Sequence, residues 1–118
     1  MRITLPKPVS VNAMYRTTVR NGHSETYISK RGKEWFEEAG WILGVQKLVI
    51  YHGDVIVYVW LYTCRDGDID NIGKCTLDLL QKSGVIKNDK QVVELHMYKE
   101  RVKHVKDEKM ELQVEAWE

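Results

Sequence analysis

The sequence has little of what would mark a secreted, membrane or metal-stapled protein. Its two cysteines, Cys64 and Cys75, fit neither a zinc nor a redox spacing, so free thiols in a reducing compartment are expected. No apolar run approaches the roughly 18 residues of a membrane span, and residues 1–10 lack the apolar core of a secretion signal. The expected location is the cytoplasm, with no membrane partner. There are no repeats, linkers or low-complexity segments. A charge excess of either sign is missing too: 18 Lys and Arg stand against 17 Asp and Glu, a net charge of +1, so composition alone does not announce a nucleic-acid binder.

What is present suits one folded domain. The chain of 118 residues is 43% apolar and 30% charged, enough for a single core over residues 1–118 and too short for two. Charge is unevenly placed. Residues 1–33 carry Arg2, Lys7, Arg16, Arg20, Lys30, Arg31 and Lys33 against Glu25 alone, a distribution that could hold a polyanionic backbone.

Patterning predicts an α+β fold, a small mixed β-sheet with two main helices. Arg2–Leu5 alternates as a short strand that Pro6 and Pro8 end. Tyr15–Val19 and Glu25–Ile28 flank Asn21-Gly22, a pair suited to the positive φ angles of a tight hairpin. Ser29 is placed to cap a helix over Lys30–Lys47, with Trp35, Phe36, Ala39, Ile42 and Leu43 as its apolar stripe. Trp41 is expected in the core with them, and Gly40 and Gly44 could permit close helix packing. Asp54–Thr63 is β-branched and aromatic nearly throughout, which predicts a central strand covered on both faces. Asn71–Ser83 has helical spacing through Ile72, Cys75, Leu79 and Leu80, with Gly84 as its C-terminal cap. Gln91–Arg101, with Val93, Leu95 and Met97 on one side, and Lys109–Trp117 alternate as strands, expected to pair antiparallel.

Chemistry concentrates between strand and helix. Asp66, Asp68 and Asp70 fall within five residues, and carboxylates that close repel one another unless a cation shares the site. Asp68 and Asp70 can converge on one ion, and hard oxygen ligands of that kind select magnesium or manganese. Asp89 is the natural third carboxylate if the strand after the helix returns to the same end of the sheet. Lys74, one turn into the helix, would neutralise charge on a phosphorane-like transition state. A helix beginning near Asp70 adds free N–H groups for a phosphate. Carboxylates, metal and phosphate together suggest phosphodiester chemistry.

The ordered set Asp68-Ile69-Asp70-Asn71, Lys74, Asp78, then Asn88-Asp89-Lys90-Gln91-Val92-Val93, resembles the RusA-like Holliday junction resolvases. Leu5-Pro6-Lys7-Pro8, with Asn12, Tyr15 and Arg16, is similar to that family's opening. The resemblance covers essentially the whole chain. It implies an intertwined homodimer that cuts four-way DNA junctions by paired symmetric nicks, with magnesium as cofactor and manganese able to substitute. It also implies Asp68, Asp70 and Asp89 as metal ligands, Lys74 as the catalytic lysine, and Asn12, Asn71 and Asp78 as supporting positions. Two features depart from the pattern: Asn88 stands where a second late acid is expected, and Arg65 is the one base before the first aspartate. The expected DNA face is therefore Tyr15, Arg16, Arg20, Lys30, Arg31 and Lys33.

Competing readings are weaker. An EF-hand beginning at Asp66 would need glycine where Asn71 stands and glutamate where Leu77 stands. An aspartate-nucleophile phosphatase is a larger fold. The four histidines are scattered and expected at the surface. Asp78 can be read as an i, i+4 partner of Lys74. The alternative function is a non-catalytic dimeric DNA-binding module of the same fold, its acids a solvated turn.

Overall fold

The computed structural model describes residues 2–46, 49–64 and 71–118. Its elements run β1 (Ile3–Leu5), α1 (Val11–Met14), β2 (Tyr15–Arg20), β3 (His23–Ile28), α2 (Lys30–Val45), β4 (Val55–Thr63), α3 (Asn71–Lys82), β5 (Val92–Arg101) and β6 (Lys109–Ala116). Single 3-10 turns at Asp89–Gln91 and Val105–Asp107 precede β5 and β6. The main sheet has the order β1-β6-β4-β5, and β2 and β3 form a separate hairpin. Asn21 and Gly22 take φ of 53° and 79° at its tip, as the dipeptide predicts.

β4 is central because its inward residues Val55, Val57, Val59 and Leu61 are all buried. It pairs parallel with β5, and α3 supplies the crossover that a parallel pair requires. It pairs antiparallel with β6 on its other side. The expected β5–β6 hairpin therefore does not form. Residues 102–108 instead carry the chain over the end of β4, which only needs two strand spacings of about 5 Å each. A register shift between Val55 and Ile56 makes β5 bulge, so Val93 turns out to solvent while Leu95 and Met97 pack against the core.

Only one face of β4 is fully covered, against the expectation of two. Its outward Tyr58, Trp60 and Tyr62 stay half-buried: Tyr58 stacks on Trp60 and on His96 of β5, Trp60 on Tyr98 of β5, and the Arg2 guanidinium lies 3.6 Å over the Trp60 ring. The helices lie on the inward face. Trp35, Phe36, Ala39 and Leu43 of α2 join Cys75, Leu79 and Leu80 of α3 in one core with Met110 and Leu112. Ser29 caps α2, its hydroxyl accepting from Gly32 N at 3.1 Å. Trp41 is 71% exposed rather than core, and nothing packs at Gly40 or Gly44. The close approach falls at Gly32, where a Cβ would lie 2.8 Å from Met14 O and 2.9 Å from Ile28 Cγ2. Gly84 ends α3 at φ 81°, as predicted.

Candidate functional site

β4 ends at Thr63 and α3 starts at Asn71, so the two elements hold the ends of residues 65–70. Arg65, Asp66, Asp68 and Asp70 lie outside the described residues, as do the side chains of Asn12 and Asn71. What the structure describes is the frame around them.

On the helix side, three residues singled out by sequence converge. Tyr15 opens β2 directly after α1, and Lys74 and Asp78 share one face of α3 a turn apart. The Tyr15 hydroxyl donates to Asp78 Oδ2 at 2.5 Å, and Lys74 Nζ stands 4.1 Å from the centre of the Tyr15 ring. Asp78 is thus held by Tyr15; among the described residues it forms no ion pair with Lys74, contrary to the i, i+4 reading. Burial, then the hydrogen bond from Tyr15 to Asp78 and the charge of that carboxylate, push the phenol well above the usual tyrosine range. Tyr15 therefore stays neutral and presents a ring face to an exposed cation. Lys74 is aimed by that ring and remains open to solvent. Below it, burial pushes the Cys75 thiol up to about 12, so it is an inert core residue.

The basic residues proposed for DNA are exposed. Arg16 and Arg20 line the hairpin, and Lys30, Arg31 and Lys33 occupy the first turn of α2, which has no acid. Three cations there oppose the positive end of the helix dipole, an arrangement that an arriving polyanion relieves.

Asp89 is elsewhere. It is exposed in the 3-10 turn at the entry of β5, and β5 runs parallel to β4. Gln91 fixes that turn to the entry of β4, donating to Tyr51 O at 2.9 Å and Gly53 O at 2.7 Å. The turn is thus a strand length from Thr63, about 25–30 Å for the nine residues of β4. α3 returns the chain to the opposite end of the sheet from Thr63, so Asp89 lies away from the end of β4 and the start of α3. Asn88, the departure from the acidic pair, caps this turn by accepting from Lys90 N at 2.9 Å. Among the described residues no three His, Cys, Asp or Glu side chains gather as a metal site.

Sequence reading missed Glu108. Its Oε2 accepts from Lys7 Nζ at 2.8 Å, Thr63 Oγ1 at 2.8 Å and Cys64 N at 3.0 Å, and its side chain is 9% exposed. These donors, Lys7 first, hold its carboxyl down at about 2. The contact ties the segment between Pro6 and Pro8 to the end of β4. Lys7 was visible in the opening motif; nothing local marked its partner a hundred residues on.

Residues 7–115 match the family described as Endodeoxyribonuclease RusA. The chain belongs to the RusA family. No curated protein matches it. The family comprises endodeoxyribonucleases that act on branched DNA junctions, and its α+β content agrees with the two main helices and small mixed sheet observed. No helix of the described residues is long and apolar enough to cross a membrane.

Proposed function

We propose that the protein is a magnesium-dependent endonuclease that resolves four-way DNA junctions by paired symmetric cleavage, acting in the cytoplasm. The observation carrying this reading is Lys74, an exposed cation aimed by a neutral tyrosine, one turn past the aspartate stretch. Supporting it are the exposed basic hairpin and the cationic start of α2.

Asp68, Asp70 and Asp89 are the residues that would hold the ion, and an all-carboxylate donor set suits magnesium, with manganese as substitute. When bound, the ion supplies a lowered water pKa and charge neutralisation at the scissile phosphate. The chain's own part is positional. Lys74 stabilises charge developing on the phosphate, Tyr15 and Asp78 fix where Lys74 stands, and Arg16, Arg20, Lys30, Arg31 and Lys33 grip the flanking backbone. Asn12 and Asn71 support the same end.

The working unit is a homodimer. Asp89 stands at the wrong end of its own sheet, so the carboxylate set is completed by Asp89 of the partner subunit. Two-fold symmetry also sets two cutting sites against a two-fold junction.

The test is an end-labelled synthetic four-way junction beside a matched linear duplex, with and without about millimolar magnesium. Paired nicks confined to the junction, needing metal and lost in Asp70→Asn, are expected. Junction binding without cutting in either metal would leave a non-catalytic DNA-binding module.

A further inference from the structure

The β5–β6 connection crosses the end of β4 and closes one side of an open cleft of about 590 Å³. Lys103, His104, Lys106 and Lys109 line it, with Tyr62 as its floor. Lys109 Nζ stands 4.7 Å from the centre of the Tyr62 ring, which holds one ammonium over the cleft. Lys103, His104 and Lys106 are exposed. Two acids share the wall, but they do not cancel these cations. Glu108 has its charge taken by Lys7, leaving Asp107 alone against three lysines.

The position is as telling as the charge. Val102 N donates to Thr63 O at 3.1 Å, and Cys64 N donates to Glu108. The cleft therefore borders Thr63 and Cys64, the last described residues before the aspartate stretch. Tyr62 faces outward from β4, whereas Lys74 and Tyr15 lie on the helix side of the sheet. The end of β4 at Thr63 lies between the two. A sugar-phosphate backbone crossing the end of β4 from the hairpin would meet Lys74 first and this cleft next.

We propose that the β5–β6 connection is a second DNA-backbone site, in which Lys103, Lys106 and Lys109 hold phosphates of the strand beyond the one being cut. The proposal rests on the reading of the protein as a junction endonuclease. Compact ammonium groups on flexible stems suit phosphate contact without base readout, so the site adds affinity and register but no sequence preference. Lys7 acts through Glu108: by neutralising that carboxylate it keeps the wall attractive to phosphate.

Binding of the full-length protein to the four-way junction is measured without divalent metal over a salt series, with a Lys103→Gln, Lys106→Gln, Lys109→Gln variant alongside. The slope of log affinity against log salt is expected to shallow by about 0.9 per lost phosphate, about 2.7 for one cleft, with affinity near 0.1 M salt falling roughly 10- to 100-fold. A slope unchanged within about 0.5 would overturn the site. Amine-reactive labelling of the wild-type complex, read by mass spectrometry, decides the matter even if the triple variant does not fold. Lys103, Lys106 and Lys109 are expected to be protected by the junction while Lys82 stays reactive; equal labelling with and without DNA overturns the proposal. Failure of the wild-type protein to bind any junction would instead overturn the endonuclease reading, and this inference with it.

Discussion

Lys74 Nζ stands 4.1 Å from the centre of the Tyr15 ring, and the same ring's hydroxyl donates to Asp78 one helical turn away. One aromatic side chain thus joins the first turn of α3 to the root of the basic hairpin. It separates the two charges that helical spacing alone would have paired.

Removing the cation should divide cutting from binding. Lys74→Met keeps most of the apolar stem over Tyr15, so the fold survives. Cleavage at saturating magnesium is expected to fall about 10²- to 10³-fold, the cost of losing one well-placed electrostatic group. Junction affinity should change less than about tenfold, as expected for one phosphate contact. Single-turnover cleavage together with a metal-free binding assay measures both, and equal losses in each would refute a role in the chemical step.

The Tyr15 hydroxyl gives a pH signature. Its pKa in the folded protein is raised above the value near 10 that it has when unfolded. Above pH 10 the unfolded chain therefore loses a proton that the folded chain keeps, and stability falls as pH rises. Tyr15→Phe should flatten that part of the profile. At pH 7 it should cost about 1–2 kcal/mol, because Asp78 loses its donor. Urea titrations of both proteins between pH 7 and 11 provide the comparison, and identical slopes above pH 10 would exclude the hydrogen bond.

Glu108 behaves in the opposite sense. Its carboxyl sits at about 2, below the unfolded value near 4.3, chiefly through the hydrogen bond from Lys7. The unfolded chain thus takes up the proton first, so the stabilisation is present above pH 4.3 and is lost as pH falls toward 2. Glu108→Gln should cost roughly 1–3 kcal/mol at pH 7, in the range for hydrogen bonds to a charged group. The difference from wild type should shrink steadily below pH 4. Thermal melts across pH 2–7 test this; a constant difference would mean the charge contributes nothing.

Much of this architecture was legible in sequence, for reasons that differ by element. β4 declared itself through β-branched and aromatic density, α3 through its apolar spacing and Gly84, and the hairpin through Asn21-Gly22, all local signals. The errors were about partners. Pairing of β5 with β6 looked natural because they are neighbours in sequence, but burial of Val55, Val57 and Val59 makes β4 the centre that both must flank. Trp41 carries core chemistry at a position that helical spacing puts on the face of α2 opposite Trp35, Ala39 and Leu43, so it faces water. The aspartates and Lys74 were readable as a motif, whereas the Lys7–Glu108 pair joins two segments with no shared local pattern. The place of Asp89 depended on strand direction, which periodicity does not encode.

That place yields the sharpest prediction. Asp89 opens β5 at the far end of the sheet from the start of α3, so two geometries are distinguishable by mixing inactive variants. Asp70→Asn and Asp89→Asn should each abolish cleavage alone. If every site lies within one chain, any mixture of the two stays dead. If Asp89 of the partner subunit completes the site, a mixed dimer has one site carrying both substitutions and one carrying neither. Co-refolding equal amounts makes about half of the dimers mixed, with one intact site each, so about a quarter of wild-type sites return. Those sites should nick one strand of the junction without the paired second cut. Measured on the end-labelled junction after co-refolding, recovery of single nicks establishes a site shared between protomers. No recovery, with mixed dimers confirmed by mass, rules out a site completed by Asp89 of the partner subunit.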